Sequence, residues 1–175
     1  MNIRAATIAD IPQCERLDGS YATHYVWHMH EASTPDDVAV SFRRVRIPRR
    51  VQVAYTRTTE SLGEDWRRGE CFLVAEELGV IFGYLDMTVR HWQWSGWIEH
   101  LVVDPSHRRR GLASRLLQAA ERWARGSDLG TIVAAVQAKN DPAILLLAQR
   151  GYSFCGFIDA YYHDGDLGIL YSLRL

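Results

Sequence analysis

The stretch LVVDPSHRRRGLASRLL, residues 101–117, decides the fold class of this 175-residue chain. The apolar run before Asp104 is typical of a buried strand, and the apolar spacing after Gly111 is typical of an amphipathic helix. Backbone N–H groups at a helix N-terminus have no intrahelical partner, and the helix dipole adds partial positive charge there. The intervening loop is therefore predicted to bind an anion, and its small residues Gly111, Ala113 and Ser114 leave room for a pyrophosphate.

The arginines of this loop also admit two other interpretations, a solvated loop before a helix or part of a nucleic-acid-binding surface. The chain carries 20 Lys and Arg against 21 Asp and Glu, so it offers no broad basic surface. A second arginine-rich stretch, FRRVRIPRR at residues 42–50, does not change that balance. We therefore expect no nucleic-acid partner, and the flanking strand and helix favour the anion-binding loop.

Composition indicates one globular domain that spans residues 1–175. No apolar run reaches the roughly 18 residues of a membrane span, and the N-terminus lacks an apolar leader, so we expect no membrane partner. The three cysteines, Cys14, Cys71 and Cys155, are isolated and lack metal-ligand spacing. That pattern favours reduced thiols in a cytoplasmic protein.

Apolar periodicity predicts strands in the first half of the chain and alternating strands and helices in the second half. This order predicts an α/β fold with a sheet of mixed direction. The expected helices are residues 8–20, with Gly19 at the end, 111–125 and 141–152. The expected strands are residues 2–7, 37–47, 50–58, three in succession within 69–104 with turns near 78–79 and 94–96, then 131–138, 153–162 and 168–175.

Two motifs in the second half resemble those of a known family. Residues 101–117 resemble motif A of the GNAT superfamily of acetyl-CoA-dependent N-acetyltransferases, whose pattern Gln/Arg-x-x-Gly-x-Gly/Ala matches Arg108, Gly111 and Ala113. NDPAILLLAQRGY, residues 140–152, resembles motif B. The resemblance implies a GNAT-like, mostly antiparallel central sheet, flanked by helices and splayed near the cofactor site.

A narrower similarity concerns two shorter stretches. LDGSYATHYVW, residues 17–27, and GYSFCGFIDAYY, residues 151–162, are similar to streptothricin acetyltransferases, which inactivate a polycationic antibiotic. The implied reaction is direct attack of an amine on the thioester of acetyl-CoA, which serves as cosubstrate.

The resemblance also implies the cofactor contacts. Backbone N–H groups of the splayed strand are candidate oxyanion donors. Asn140 either hydrogen-bonds the pantetheine arm or caps the following helix. The expected cofactor-binding residues are Leu101, Val102, Val103, Arg108, Arg109, Arg110, Gly111, Leu112, Ala113, Ser114 and Asn140.

The attacking amine needs a base. An amine with a lysine-like pKa of about 10.4 is a free base in roughly one molecule in a thousand at pH 7, so a proton must be removed. Glu99 and His100 stand where the family keeps a carboxylate. Neighbouring strand residues face opposite sides, so only one of them is expected to face the substrate. We predict Glu99, acting directly or through a water, with a plain surface carboxylate as the alternative.

The leaving thiolate lacks its usual acid. The family places a tyrosine seven residues after the motif B asparagine, but this chain has Leu147. We predict Tyr162 as the replacement, with Tyr161 as the alternative because the two are expected to face opposite ways on one strand. Leu147 also keeps open a binding module that retains acetyl-CoA but has lost catalysis.

Two further patterns have competing explanations. His24 and His28 would form a metal pair on a helix, but no further ligand motif accompanies them, so no metal is predicted. WQWSGW, residues 92–97, places its tryptophans on one face of a strand, where they line the acceptor pocket, pack internally or form a homodimer interface.

The sequence thus predicts an N-acetyltransferase that acts on a primary amine of a small molecule, such as a streptothricin-like antibiotic or a polyamine. Transfer to a protein N-terminus or lysine is the main alternative. Acidic groups would suit a cationic acceptor. The candidates are Asp18, Glu31, Asp86, Glu99 and Asp159.

Overall fold

The computed structural model describes residues 1–175 as a seven-stranded sheet, four α-helices and a separate two-stranded hairpin. The elements in chain order are β1 (Asn2–Ala5), α1 (Ile11–Glu15), β2 (Tyr21–Thr34), β3 (Asp37–Val53), α2 (Leu62–Arg67), β4 (Cys71–Glu77), β5 (Val80–Arg90), β6 (Ser95–Val103), α3 (Leu112–Gly126), β7 (Thr131–Gln137), α4 (Asp141–Gln149), β8 (Ser153–Ile158) and β9 (Gly168–Arg174). None of the helices is long and apolar enough to cross a membrane.

The large sheet has the strand order β1-β4-β5-β6-β7-β9-β8. All neighbouring strands are antiparallel except β6 and β7, which are parallel. The turn between β4 and β5 falls at Leu78 and Gly79, both with positive φ, as two-residue hairpins require. The predicted mixed and mostly antiparallel α/β fold is confirmed.

The only parallel pair separates partway along its length. Residues Ser95–Ile98 of β6 pair with Thr131–Ala134 of β7, and the pairing ends there. Beyond that point β6 remains paired with β5 as far as Val103, and β7 remains paired with β9 as far as Gln137. The facing edges of β6 and β7 therefore open into a gap, which is the splay that the resemblance implied.

Two hydrophobic clusters hold the helices to the sheet. The larger has 21 buried residues and includes Leu116 and Leu117 of α3 and Ile144 of α4. The smaller has eight and joins Ile11 of α1 and Leu62 of α2 to the sheet. The helical spacing of apolar residues in α3 accounts for its buried face, since Leu116, Leu117, Ala120 and Ala124 are all fully buried.

The first half of the chain departs most from prediction. β2 was not expected, and β3 is one strand of 17 residues where two shorter strands were predicted. The two strands form a long hairpin, in which Tyr21 lies opposite Val53 at one end and Thr34 lies opposite Asp37 at the other. Much of this hairpin is exposed, so its residues do not show the apolar alternation that marks a half-buried strand.

Smaller differences occur at three other places. α1 ends at Glu15, before the predicted stop at Gly19, and the short helix α2 was missed. β8 ends at Ile158, so Tyr161 and Tyr162 lie in the loop before β9 and not on a strand. A helix of six residues such as α2 is too short to show a helical repeat.

One carboxylate at the start of α4 contributes to anchoring the hairpin to the body of the protein. Arg44 of β3 donates to both oxygens of Asp141, from Nε at 2.6 Å and Nη2 at 2.8 Å, and Trp27 Nε1 donates to the same carboxylate at 3.1 Å. The Phe42 ring lies 5.6 Å from that of Phe154 on β8. These contacts hold the hairpin against the N-terminus of α4.

Candidate active site

The loop between β6 and α3 forms an anion cradle. Arg109 and Gly111 both have left-handed backbone, with φ of 63° and 78°. None of the backbone amides from Arg109 to Ser114 donates to a protein acceptor. A Cβ added to Gly111 would meet no atom within 4 Å, so the space in front of these amides is open. Free amides beside the start of a 15-residue helix match the needs of a pyrophosphate.

A cleft of about 420 Å³ runs from this cradle along the free edge of β6 to the start of α4. Among the predicted cofactor contacts, Arg110 lies outside this cleft, and its side chain is exposed. The other predicted contacts line it: Leu101, Val102, Val103, Arg108, Arg109, Gly111, Leu112, Ala113, Ser114 and Asn140.

All three nitrogens of the Arg108 guanidinium donate hydrogen bonds to backbone carbonyls. Its Nε donates to Val103 at 2.8 Å, Nη1 to Ser20 at 2.6 Å and Nη2 to Asp18 at 2.6 Å. The side chain therefore ties the end of β6 to the segment before β2. Two of its three partners, Ser20 and Asp18, lie 88 and 90 residues away in sequence, so the motif alone does not reveal this role.

Asn140 performs the capping role that was one of its two alternatives. Its Oδ1 accepts a hydrogen bond from the Ala143 amide at 3.2 Å, at the N-terminus of α4. Pro142 occupies the first turn, where its missing N–H has no helical partner to lose. Asn140 also lines the cleft, so the cap fixes its position in the cleft wall.

A second, smaller cavity of about 100 Å³ opens at the splay between β6 and β7. Glu99, Arg57, Leu147 and Tyr162 line it. It shares part of its wall with the cleft, so the two spaces join at the splay. The shared residues are Tyr21, Tyr55, Leu101, Asn140, Ala143 and Leu146.

A β-bulge positions the candidate base. Asp86 pairs with His100, but Met87 pairs with Ile98, so Glu99 is an extra residue on β6. Bulges redirect side chains and are frequent beside active sites. The expected strict alternation between Glu99 and His100 is therefore broken at this point.

Both side chains consequently reach the same covering segment, residues 55–57. Glu99 Oε2 accepts from Arg57 Nη1 at 2.6 Å and Oε1 accepts from the Thr88 hydroxyl at 3.0 Å. His100 Nδ1 lies 2.9 Å from the Tyr55 hydroxyl. The prediction that these neighbours face opposite sides was wrong, but only Glu99 lines the small cavity.

His100 is buried behind Tyr55. It is 5% exposed and lines neither the cleft nor the small cavity. Burial, reinforced by the positive charges of Arg57 and Arg68, lowers the pKa of His100 to about 4, so the ring is neutral at neutral pH. The Tyr55 hydroxyl, whose residue lines the cavity, lies within hydrogen-bond distance of His100.

The predicted acid Tyr162 lines the small cavity, and Tyr161 does not. Tyr162 donates its hydroxyl hydrogen to the Ala135 carbonyl of β7 at 3.0 Å. The two rings pack edge to face, with centroids 5.0 Å apart, in the loop after β8. Leu147 also faces the cavity, so the position of the usual tyrosine is apolar.

The histidine and tryptophan patterns of the sequence do not contribute side chains to the small cavity. His24 and His28 lie on strand β2, where both are exposed, and not on a helix. Trp92 and Trp94 are 80% and 65% exposed in the turn before β6, whereas Trp97 is buried in the strand with Arg90 over its ring. None of the three tryptophans lines the small cavity, and the buried Trp97 matches the alternative of internal packing.

Of the five predicted acidic groups, only Glu99 lines the cavity. Asp18 and Asp159 are exposed, Glu31 is exposed on the hairpin, and Asp86 is buried in the sheet. Sequence reasoning missed the lining residues Tyr21, Tyr55, Arg57 and Gln137. Residues 55–57 follow β3 as an irregular segment, and nothing in their sequence marks them as part of a site.

Comparison with known proteins agrees with this geometry. The model of the acetyltransferase (GNAT) family matches residues 37–152. A streptothricin acetyltransferase from Streptomyces lavendulae is 29% identical over 164 residues, which are 91% of this chain and 85% of that protein.

Solved structures show the same fold. A nourseothricin acetyltransferase superposes with a TM-score of 0.82 at 23% identity, over 99% of this chain and 97% of that one. A Bacillus anthracis protein in complex with acetyl coenzyme A has a TM-score of 0.78 at 18% identity, again over 99% and 97% of the two chains. The family model covers more than half of the chain, including both predicted motifs. The chain therefore belongs to the GNAT family of acetyltransferases and is an acetyl-CoA-dependent N-acetyltransferase.

Proposed function

We propose that this enzyme acetylates a primary amine of a cationic small molecule, either a streptothricin-like antibiotic or a polyamine. The observation that carries the proposal is the similarity to the Streptomyces lavendulae streptothricin acetyltransferase over 91% of the chain. That similarity extends beyond residues 37–152, which the general family model matches. It therefore includes parts of the chain outside the shared acetyltransferase core.

The small cavity suits the amine-bearing arm of such an acceptor. Its walls combine the Glu99 carboxylate with the rings of Tyr21, Tyr55 and Tyr162. A carboxylate attracts an ammonium group, and aromatic faces stabilise cations by about 0.5–2 kcal/mol. The cavity joins the cleft at the splay, so an amine inside it would approach the cofactor's acyl end from the opposite side.

The cleft residues are those that would hold acetyl-CoA. The cradle amides of residues 109–114 would bind the pyrophosphate, and Asn140 would lie beside the pantetheine arm. The free edge of β6 at residues 101–103 would offer N–H donors to the thioester oxygen. When bound, acetyl-CoA supplies the activated acetyl group.

Glu99 is the proposed base. Thr88 and Arg57 hold its two oxygens, so the carboxylate has a fixed orientation toward the cavity. Its role is to take a proton from the substrate ammonium, directly or through a water, so that the nitrogen lone pair is available for attack. The same charge would bind the ammonium before the proton leaves.

Release of free thiol from acetyl-CoA tests the proposal when the purified enzyme is given a panel of amines. The panel contains streptothricin, an aminoglycoside, spermidine and peptides with a free N-terminus or lysine. We expect the highest kcat/KM with streptothricin or spermidine. A higher kcat/KM with the peptides would assign the enzyme to protein acetylation instead, and acetyl-CoA binding without turnover on any amine would favour a binding module.

A further inference from the structure

Leu147 leaves the sulfur of the leaving group without a proton donor at the usual position. A thiol of this kind has a pKa of about 8.5, so its thiolate is a tolerable leaving group, and a proton donor close by accelerates its departure. The donor must stand where the cleft and the small cavity meet, because that is where the acyl end and the amine would come together. Leu147 itself is 3% exposed and packs into the larger hydrophobic cluster.

Only two residues at this junction carry a hydroxyl group, Tyr21 and Tyr55. The Tyr21 hydroxyl donates to Gln137 Oε1 at 2.8 Å, and Gln137 in turn donates to Asp166. Tyr162 lines only the small cavity and donates to a backbone carbonyl. The hydrogens of Tyr21 and Tyr162 are therefore already committed to protein acceptors.

Tyr55 differs because its partner can donate to it. Its hydroxyl lies 2.9 Å from His100 Nδ1. When the neutral His100 ring carries its hydrogen on Nδ1, that nitrogen donates to the Tyr55 oxygen and leaves the hydroxyl hydrogen free. We infer that Tyr55 is the proton donor to the leaving sulfur and that His100 positions it. This inference rests on acetyl transfer at the site described above.

The surroundings hold Tyr55 in place and keep it protonated. A Cβ on Gly19 would lie 2.6 Å from the Tyr55 ring, so the ring packs directly on the Gly19 backbone. Burial raises the pKa of the Tyr55 hydroxyl above its usual range. The group therefore retains its hydrogen at neutral pH, and the hydrogen bond from His100 stabilises the oxygen when that hydrogen leaves.

The protons balance with one released to solvent. The proton that Glu99 takes from the substrate ammonium passes to solvent and leaves the free amine. Glu99 then takes a second proton from the attacking nitrogen as the nitrogen–carbon bond forms. Tyr55 gives its hydroxyl hydrogen to sulfur as the carbon–sulfur bond breaks and the bonding electrons go to sulfur. The Tyr55 oxygen then recovers a proton from Glu99, directly or through water, so both groups return to their starting states and the products are the amide and the free thiol.

Tyr55→Phe is the central test, with Tyr171→Phe as the matched control because Tyr171 is buried on β9 and lines neither space. We expect Tyr55→Phe to lower kcat about 10²-fold and to leave the acetyl-CoA Kd within about twofold. Tyr171→Phe should keep the parent kcat. Tyr162→Phe is measured beside them, and a loss in that variant with none in Tyr55→Phe overturns the inference.

A second measurement separates proton donation from a structural role. The variants are given S-acetyl pantetheine, whose alkyl thiol needs a proton, and S-acetyl thiophenol, whose aryl thiolate is stable without one. Tyr55→Phe should lose kcat/KM with the alkyl thioester and lose much less with the aryl one. An equal loss with both donors would contradict the inference.

His100 is tested as a positioning residue by rescue. His100→Leu removes the partner of Tyr55 and should lower kcat about tenfold, whereas His100→Asn retains a donor near the Nδ1 position and should recover most of that loss. Equal rates in the two variants would remove His100 from the inference. All comparisons use whichever amine in the panel the parent enzyme acetylates fastest, so a wrong acceptor class does not affect them.

Discussion

The proposed cofactor cradle and the proposed acceptor cavity lie side by side but are built in different ways. The cradle is a run of consecutive residues, 109–114, whose free backbone amides are the proposed contacts of the pyrophosphate. The acceptor cavity takes its lining from β2, from the segment after β3, from β6 and β7, from α4 and from the loop before β9. In the proposed function a local motif thus binds the cofactor, whereas the acceptor is selected by residues that only the fold brings together.

This difference can be tested because it predicts which measured quantity each change should affect. Substitutions in the cradle should weaken acetyl-CoA binding. Substitutions in the cavity should slow turnover while acetyl-CoA still binds. Residues that connect distant segments should affect the stability of the whole protein.

The largest effect is expected from Gly111→Asp. A carboxylate would enter the open space before the cradle amides and repel the pyrophosphate, and its backbone would be strained at φ 78°. Because like-charge contacts cost several kcal/mol, the Kd for acetyl-CoA should rise about 10²-fold or more by calorimetric titration. Gly79→Asp is the control, since Gly79 has φ 81° in an open turn away from the cleft. Equal affinities in the two folded variants would remove the cradle from cofactor binding.

Glu99→Gln should separate turnover from binding. The amide keeps the shape of the side chain but cannot take the amine proton, so kcat should fall about 10²-fold with little change in acetyl-CoA affinity. Steady-state kinetics with the best amine acceptor measures this, and Glu31→Gln on the exposed hairpin serves as the control. Unchanged turnover in Glu99→Gln would assign proton removal to solvent or to the path through Tyr55 and His100.

Arg108→Lys tests a residue that belongs to the local loop motif and also connects distant segments of the chain. The lysine keeps the charge of the motif but cannot reach the carbonyls of Val103, Ser20 and Asp18 together. The free energy of unfolding should fall by about 2 kcal/mol in urea titrations. Arg110→Lys, at an exposed neighbour, should change it by less than about 0.5 kcal/mol. Similar values for both variants would show that the charge matters and the geometry does not.

The smallest effect is expected from Asp141→Asn, which loosens the hairpin. Hydrogen bonds from Arg44, together with one from Trp27, hold the pKa of Asp141 below its usual range. The anchor should therefore contribute fully above the unfolded value of about 3.9 and be lost as the pH falls through the lowered folded value. At pH 7 the variant should be about 1–2 kcal/mol less stable than the parent, and the difference should narrow toward pH 3. A constant difference across that range would show that ionisation of Asp141 does not stabilise the anchor.

The accuracy of the sequence predictions followed the range of the interactions involved. The turn at Leu78 and Gly79, the start of α3 at Leu112 and the Asn140 cap were predictable because their signals lie within a few residues. The β2–β3 hairpin was missed because most of its surface is exposed and shows no regular apolar pattern. The bulge at Glu99 was missed because it depends on the register with β5.

By itself, the sequence determined the α/β class, the loop of free backbone amides before α3 and the family, because each depends on short-range propensity and on backbone groups that a few consecutive residues expose. Only the tertiary structure decided that Arg108 ties β6 to the segment before β2, that Tyr161 and Tyr162 lie on a loop, and that Glu99 and His100 reach one covering segment. Those outcomes depend on strand register and on contacts between residues tens of positions apart. Side-chain direction at such places is set by packing and hydrogen bonding across the fold, which no local pattern records.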